Sequence, residues 1–417
     1  MASVLVINSG SSSLKFKLFT GTGTKLLAAA TGLVERIGDS ANSQLVVSNQ
    51  KVLQETGKQT FKEPLTDHTN ALDYVLDYLK RQYSNTIKDE VKALGHRVVH
   101  GKHLSEPMLV DEEVMRIIRE AADLAPLHNP ANLQGIVAAS AVFTGAPQVA
   151  VFDTAFHQTM PPSAYMYAVP YEYHEKYHVR KYGFHGTSVK YLVGQAARML
   201  KKDESKLNLI VAHLGAGASI TAIKDGKSVD TSMGLTPLEG LVMGSRCGDM
   251  DPAVVLYMMQ KGGLSAHEVD VLMNKKSGFL GMCGHADIRA VLQAADAGDE
   301  KAQLAIEVYL HRLRRYMGSY FLQLRGKVDA VVFSAGMGEN SAFLRARILE
   351  DLDVFDMYVD KVRNEETVGG VEGEIQRAPS KPKVLVIPTD EELSIAQQTI
   401  KVLNTPSPQR LEPPIAF

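Results

Sequence analysis

The chain has 417 residues, which is enough for two or three domains with cores of their own. Its formal net charge of −2 favours neither nucleic acid nor an anionic membrane as a partner. Only two cysteines, Cys247 and Cys283, are present, and the first residues lack the basic n-region of a signal peptide. We therefore expect a reducing compartment, the cytoplasm, and no disulfide framework.

The first predicted element is a β-hairpin. Residues 4–7 are an apolar run of strand formers, residues 8–13 form a polar turn, and residues 14–19 alternate as a second strand. Backbone N–H groups, hydroxyls and the ammonium of Lys15 would suit phosphate oxygens at this turn. The alternative is an ordinary polar turn, because the same residue types fill most turns.

The same strand, turn and strand pattern recurs at residues 209–223. With Gly10 aligned on Gly215, Lys15 corresponds to Ile220. A repeat at about half of the chain predicts a duplicated domain. Two facing copies of the hairpin would then place a nucleotide in the cleft between them.

Strands and helices alternate along the rest of the chain, which predicts an α/β architecture. The uncharged stretch 129–152 is not expected to span a membrane, because a Gly-Ala-Pro sequence breaks it. Residues 154–186 are predicted as a long functional loop. The other predicted strands lie at 91–100, 148–152, 328–334 and 383–388, and the predicted helices at 69–83, 111–124, 131–143, 252–260, 266–274, 286–297, 301–325 and from 341 and 389 onward.

Two candidate functional residues are carried by predicted strands. Arg97 stands inside an apolar strand, where it needs an anionic partner, either a bound carboxylate or phosphate or a carboxylate of the protein. Asp153 follows a strand, at the edge where open α/β sheets bind ligands, although it could also cap a helix. No Walker A, G-x-G-x-x-G or protein-kinase motif is present, so a nucleotide would require another fold.

Other candidates lie in predicted loops. His128 at a helix start is either an anion ligand or a capped loop residue. His185 and Arg246 are flanked by glycines, which allow close approach of the backbone. Residues 336–340 predict a nucleotide-contacting turn at a helix start. Glu391 would either bind Mg²⁺ through water or favour the first helical turn.

Eight motifs are similar to those of the acetate kinases, the acetokinase family of the sugar kinase/Hsp70/actin superfamily. They are NSGSSSLKF at 8–16, GHRVVHG at 95–101, APLHNPAN at 125–132, VFDTAFHQTMP at 151–161, YGFHGTS at 182–188, DTSMGLTPLEGLVMGSRCGDMDP at 230–252, AGMGENS at 335–341 and PTDEEL at 388–393. The resemblance covers nearly the whole chain. It implies two duplicated actin-like (ribonuclease H-like) domains with a nucleotide cleft between them, residues 1–152 plus 390–417 and residues 153–389, and a homodimer.

The activity implied by the resemblance is reversible phosphoryl transfer between ATP and acetate, giving ADP and acetyl phosphate, with Mg²⁺ or Mn²⁺. The alternatives are propionate or another short-chain acid as acceptor, a donor other than ATP, or hydrolysis of acyl phosphates. The family usually reads HLGNG where this chain reads HLGAG, so Ala216 removes a carboxamide near the phosphates. The resemblance therefore leaves the usual donor open.

The resemblance also implies the role of each site residue. Arg97 would bind the acetate carboxylate and Arg246 the transferring phosphoryl group, while His185 would stabilise the transition state with help from His128. Asp153 takes the acid/base position, but carboxylic acids titrate near ~4, so acetate brings no proton to remove and a positioning role is favoured.

The binding residues implied by the resemblance form three sets. Asn8 and Glu391 would support Mg²⁺, and Lys15 would contact the nucleotide phosphates. The acetate methyl pocket would be formed by Val99, Leu127, Phe184 and Pro237. The nucleotide would be contacted by His213, Leu214, Gly215, Ala216, Gly217, Asp287, Ile288, Arg289, Gly336, Met337, Gly338, Glu339 and Asn340.

Overall fold

The structure is a computed structural model that describes residues 2–22, 25–49, 59–82, 87–126 and 128–405. The chain divides into two compact units, of which unit 1 comprises Met1–Ala155 and Asp390–Phe417 and unit 2 comprises Phe156–Thr389. The first division falls three residues after the predicted one, so Asp153 belongs to unit 1 and not to the second domain. No helix of the described residues is long and apolar enough to cross a membrane.

Unit 1 is built on one mixed sheet in the order β5-β4-β3-β2-β1-β6-β8-β7. The first five strands form an antiparallel meander, while β6 runs parallel to β1 and β8 runs parallel to β6. The strands are β1 (Ala2–Gly10), β2 (Ser13–Thr22), β3 (Lys25–Glu35), β4 (Gln44–Asn49), β5 (Gln59–Lys62), β6 (Val91–Val98), β7 (Met108–Leu109) and β8 (Gln148–Phe152).

Unit 2 contains a second sheet in the order β11-β10-β9-β12-β14-β13. Its strands are β9 (Leu209–Leu214), β10 (Ala218–Lys224), β11 (Lys227–Thr231), β12 (Ala330–Ser334), β13 (Gly373–Glu374) and β14 (Lys383–Val386). Both sheets share three antiparallel strands followed by two parallel ones, which confirms the predicted duplication.

The two sheets share the order and direction of these five strands, but their first hairpins differ in length. Lys15 pairs with Asn8 across the first hairpin, whereas His213 pairs with Ser219 across the second. The second hairpin is one residue shorter between its paired residues. Ser219, and not the predicted Ile220, therefore occupies the position of Lys15.

Several helices pack on the two sheets, as an α/β architecture requires, and others pack on neighbouring helices. They are α1 (His68–Gln82), α2 (Ile87–Glu90), α3 (Glu112–Glu120), α4 (Asn129–Val142), α5 (Pro162–Tyr165), α6 (Glu172–Tyr177), α7 (Gly186–Leu200), α8 (Ala253–Gly262), α9 (Ala266–Lys275), α10 (Gly278–Cys283), α11 (Ile288–Asp296), α12 (Glu300–Gln323), α13 (Ala335–Asn340), α14 (Ala342–Leu349), α15 (Lys361–Glu366) and α16 (Glu391–Asn404). Helices α5 and α6 fall within residues 154–186, which were predicted as a loop.

The last helix, α16, packs on the sheet of unit 1 opposite α1 and α4. Its Ile395 shares a core with Val4 and Val6 of β1. A Cβ atom at Gly95 would lie 2.5 Å from Thr399 Oγ1 and 2.7 Å from an Ile395 methyl carbon. The close approach of strand and helix therefore requires a glycine at this position.

Strand β6 ends at Val98, two residues before the predicted end. The N–H groups of Val99 and His100 donate to Asn132 Oδ1 and Asn129 Oδ1 of α4, each at 3.0 Å, in place of a neighbouring strand. The alternation of side chains along β6 therefore does not extend to Val99.

Candidate active site

Three parallel strands of unit 1 end side by side. The pairing of Ile7 with His96 places Asn8, the next residue of β1, beside Arg97. Asp153 directly follows β8, and its N–H donates to Val98 O at 2.9 Å. Asn8, Arg97 and Asp153 therefore meet at the carboxyl edge of the sheet, where α/β folds bind ligands.

The Arg97 guanidinium lies between two carboxylates of unit 1. Nε and Nη2 donate to Asp153 Oδ2 at 3.0 and 2.6 Å, and Nε lies 3.9 Å from Glu391 Oε2. Burial acts against the charged form, but the charges of Asp153 and Glu391 raise the pKa of Arg97 above its ordinary value. Arg97 is therefore a permanent cation held in one orientation.

Lys15 has a partner at the other end of the chain. Its ammonium forms an ion pair with Glu392, although the Lys15 side chain remains 46% exposed. Lys17 binds both carboxylate oxygens of Asp390 at 2.9 and 2.8 Å. The acidic first turn of α16 is thus fixed to β2 by two lysines.

Oxygen donors suited to Mg²⁺ gather at this edge of unit 1. The side chains are the carboxamide of Asn8 and the carboxylates of Asp153 and Glu391, and burial raises the pKa of Glu391 against the opposing effect of Arg97. Burial and the neighbouring carboxylates of Asp153 and Glu392 outweigh the effect of Arg97 on this pKa, and a bound cation would act in the same direction as Arg97. The described ranges contain no group of three or more His, Cys, Asp or Glu side chains suited to a metal. The carboxamide and carboxylate oxygens of Asn8, Asp153 and Glu391 are of the ligand type that Mg²⁺ accepts together with water.

Two histidines of unit 2 stack near the end of β9. The rings of His185 and His213 lie 4.2 Å apart between centroids at an interplanar angle of 24°. His185 Nδ1 lies 2.9 Å from Ser219 Oγ, and His213 Nδ1 lies 3.0 Å from Ser188 Oγ. Hydroxyl groups therefore fix both ring planes through their Nδ1 atoms.

Arg246 lies beside His185, across Gly217. A Cβ atom built on Gly217 would lie 3.6 Å from both Arg246 Nη1 and His185 Nε2. Nη1 also donates to Pro237 O at 3.0 Å, and Arg246 forms no ion pair within the described part of the chain. Burial lowers the pKa of the Arg246 guanidinium, as expected of a cation without an anionic neighbour. An anion bound over Gly217 would supply that neighbour.

A cavity of about 710 Å³ opens in unit 2 next to the glycine turn of the second hairpin. Predicted nucleotide-contacting residues form much of its wall, namely Gly215, Ala216, Asp287, Ile288, Arg289, Gly336, Met337 and Asn340. Hydrogen bonds from Arg289 lower the pKa of Asp287 to about 2.

The predicted turn 336–340 lies within a helix of its own, α13. Glu339 of this helix accepts hydrogen bonds from the N–H groups of Ala335 and Thr389 at 2.7 and 3.0 Å.

The acetokinase family model matches residues 3–397. The acetate kinase of Thermotoga maritima is 48% identical over 96% of this chain and 98% of its own length. That of Methanosarcina thermophila is 49% identical over 96% of this chain and 97% of its own length.

The chain belongs to the acetokinase family.

Solved structures of acetokinase relatives agree with this assignment. A crystal structure of the Porphyromonas gingivalis acetate kinase has a TM-score of 0.89 and 41% identity, covering 97% of this chain and 100% of that chain. A Francisella tularensis propionate kinase has the same TM-score and 43% identity, covering 96% of this chain and 100% of that chain. The actin-like two-domain fold expected of an acetokinase is confirmed.

The residues expected to form the acetokinase methyl pocket are distributed over both units. Val99 is buried in unit 1, while in unit 2 Phe184 is buried and Pro237 is half-buried. Leu127 lies outside the described residues. His128 occupies the N-cap position of α4. The functional roles of these residues stay predictions.

Ser188, Ser219 and Glu392 were not identified from the sequence as site residues. Ser219 could have been identified, because it lies in the alternating second strand of the repeated hairpin, which corresponds to the strand that carries Lys15. Glu392 gave no signal of its own, because acidic residues commonly occupy the first turn of a helix.

Proposed function

We propose that this protein is an acetate kinase that transfers the γ-phosphoryl group of ATP to acetate, reversibly, giving ADP and acetyl phosphate. The observation that carries the proposal is the pair Arg246 and His185, whose nitrogens converge over Gly217 without a carboxylate partner for the arginine. Such an arrangement suits the oxygens of a transferring phosphoryl group. The relatives named acetate kinase support the choice of acceptor.

The acceptor is bound by unit 1 in this proposal. Asp153 occupies Nε and Nη2 of Arg97, and the Nη1 group has no partner among the described residues. Nη1 would hold one oxygen of acetate, and the other oxygen would attack the γ-phosphorus. The new bond joins that oxygen to phosphorus while the bond from phosphorus to the ADP oxygen breaks. Acetate is already ionised at neutral pH, so Asp153 need not remove a proton.

Unit 2 would bind the donor and neutralise the transferring group. The nucleotide would lie in the 710 Å³ cavity, with its γ-phosphate toward Gly217. Arg246 and the Nε2 atom of His185 would hydrogen-bond the equatorial oxygens, where charge accumulates in phosphoryl transfer. The bond from Ser219 to Nδ1 keeps the His185 ring in that orientation.

The Asn8 and Glu391 side chains would hold Mg²⁺ through water. The chemistry that the ion would supply when bound is neutralisation of phosphate charge. Glu391 is suited to holding the ion because burial raises the pKa of its carboxylate even beside Arg97, and a cation would favour the ionised form.

The second candidate function is phosphoryl transfer to a related acceptor. The Francisella tularensis propionate kinase supports a short-chain acid other than acetate as that acceptor.

The phosphoryl donor is a separate question. The exposed Ala216 at the cavity wall leaves a donor other than ATP open, and an assay with pyrophosphate in place of ATP tests that alternative.

We further propose a homodimer in the cytoplasm. Helix α8 is rich in apolar residues, yet it buries none of them. Val254, Leu256 and Tyr257 are 39%, 60% and 62% exposed. A second copy of the chain would cover this face. Sedimentation should give twice the 45.5 kDa of one chain, and Leu256→Glu should give a monomer. A single 45.5 kDa species for the wild type would contradict the dimer.

One assay tests the activity. The protein is incubated with ATP, Mg²⁺, acetate and hydroxylamine, which traps acetyl phosphate as the hydroxamate. We expect hydroxamate that depends on both ATP and acetate. Phosphate release without hydroxamate would indicate an acyl-phosphate hydrolase, and neither product would indicate a nucleotide-binding protein without this chemistry.

A further inference from the structure

Arg345 of α14 is among the largest fully buried side chains in the described part of the chain, with 0% exposure. Each of its five N–H groups donates to an oxygen. The acceptors are Asn364 Oδ1 at 2.8 Å, Gly338 O at 2.9 Å, Glu339 O at 2.8 Å, Asn364 O at 2.6 Å and Thr367 O at 2.8 Å. All five oxygens are neutral, and within the described ranges no carboxylate pairs with this guanidinium.

Burying a cation without a carboxylate partner costs desolvation free energy that an apolar side chain in the same core would not cost. Burial lowers the pKa of Arg345 to about 10, so the side chain still carries its charge at neutral pH. A methionine would fill a similar volume without that cost, but it would leave five oxygens without donors. Only the planar five-donor guanidinium satisfies all five oxygens from one position.

Two of the five oxygens belong to α13. This helix forms part of the wall of the 710 Å³ cavity through Gly336, Met337 and Asn340. It begins at Ala335, whose φ of +63° is a left-handed conformation that residues other than glycine rarely adopt. Such conformations persist where the surroundings hold them in place.

Three side chains hold α13 in this conformation. Glu339 accepts from the N–H of Ala335 at 2.7 Å, and Asn340 joins Gly336 O to the N–H of Gly369, each at 3.0 Å. Arg345 donates to Gly338 O and Glu339 O near the other end of the helix, and it is not part of the cavity wall. The position of α13 in the cavity wall therefore depends in part on a residue that lies outside that wall.

We propose that Arg345 is a positioning residue for the phosphoryl donor, which it orients by holding α13 against the cavity. The inference rests on the proposed function, because it requires the nucleotide to bind in that cavity. Loss of the hydrogen bonds from Arg345 to α13 should weaken nucleotide binding and leave acetate binding unchanged, since the proposed acetate site lies in unit 1.

The test uses Arg345→Lys and Arg345→Met in the full chain. Lysine keeps the charge but has one nitrogen, which cannot reach five acceptors, and methionine removes both charge and donors. Arg314→Met is the matched control, because Arg314 donates to carbonyls at the end of α14, Arg347 O and Ile348 O, and pairs with Asp351, away from α13. For each variant the measurements are the KM for ATP, the KM for acetate, the Kd for MgADP by calorimetry, and the melting curve.

We expect both Arg345 variants to raise the KM for ATP and the Kd for MgADP about tenfold, with the KM for acetate within about twofold of the wild type. Arg314→Met should lower the melting temperature without changing either nucleotide constant. A folded Arg345→Lys with wild-type nucleotide constants would overturn the inference, as would the same nucleotide defect in Arg314→Met. If Arg345→Met does not fold, Arg345→Lys decides. A wild type that binds no MgADP would instead refute the proposed function.

Discussion

The guanidinium of Arg97 donates two hydrogen bonds to a single oxygen of Asp153, from Nε at 3.0 Å and from Nη2 at 2.6 Å. Because both bonds use one edge of the planar group, the other edge, at Nη1, stays available for a second carboxylate. Asp153 is only 2% exposed, and its carboxylate forms an ion pair with this guanidinium inside unit 1. The pair thus couples the orientation of the proposed acetate ligand to a buried carboxylate.

Arg97→Ala should lower kcat/KM for acetate at least about 100-fold, since it removes the proposed acceptor site and the partner of Asp153. Arg116→Ala is the control, because Arg116 is an exposed residue paired with Glu113 and Glu120, and exposed pairs contribute little. Steady-state kinetics with varied acetate provide the measurement. Near wild-type activity of Arg97→Ala would show that Arg97 does not form the acetate site proposed in unit 1.

Gly217→Ala should fold normally and lose activity. The added methyl would lie 3.6 Å from Arg246 Nη1 and His185 Nε2, which is ordinary contact, but it would fill the space assigned to the phosphoryl group. We expect kcat to fall at least about 100-fold with a melting temperature within about 2 °C of the wild type. Gly318→Ala on α12, where an added Cβ meets nothing within 4 Å, should keep full activity. Wild-type activity of Gly217→Ala would show that the phosphoryl group does not bind over Gly217.

Val99 should limit the length of the acyl chain. It is 4% exposed and β-branched, and its N–H is fixed to Asn132 of α4. One methylene in an apolar pocket is worth about 10-fold to 200-fold in kcat/KM, so acetate should exceed propionate by about tenfold. Val99→Ala should narrow that gap by lowering the propionate KM, whereas Val137→Ala, at an exposed position of α4, should not. Equal kcat/KM for acetate and butyrate in the wild type would argue for a longer-chain acyl kinase.

His96 should make stability depend on pH. Burial lowers the pKa of His96 from 6.5 to about 4, against the opposing effect of its hydrogen bond with Gln148. The native state keeps this ring neutral while the unfolded state takes up a proton below pH ~6.5, so its contribution is present above that pH and is lost toward pH 4. The loss amounts to about 3 kcal/mol.

Urea unfolding at pH 7.5 and pH 4.5 measures this contribution of His96. The His96→Gln variant should lose less stability than the wild type on acidification, because glutamine does not titrate. His267→Gln, at an exposed position of α9, should behave like the wild type. Identical acid sensitivity of wild type and His96→Gln would show that His96 is not the titrating group.

Local sequence patterns predicted which segments form strands and helices better than they predicted which segments pack together. Strand β8 coincides with the predicted 148–152, and α1 begins and ends one residue before the predicted 69–83, because apolar periodicity is a property of neighbouring residues. Helix α10 was not predicted, since its six residues include two glycines and are too few to show a period.

The candidate site shows the same division. Arg97 could be identified from the strand that carries it, and Asp153 from the strand that ends just before it. The ion pair of Lys15 with Glu392 could not, because it joins opposite ends of the chain and depends on where α16 packs. The five bonds of Arg345 depend likewise on α13, α14 and α15 meeting in space.

The packing of α16 on β1 and β6 sets an order for biosynthesis. A ribosome makes most of unit 1 first, then all of unit 2, and only then the segment from Asp390 onward. Until that segment emerges, Val4 and Val6 lack the helix that covers them, and Gly95 faces the place that Ile395 will take. The first unit to be translated is therefore the last to be completed. Ending translation before Asp390 should leave unit 2 with its own core, and unit 1 with one face of its sheet uncovered and the other still covered by α1 and α4.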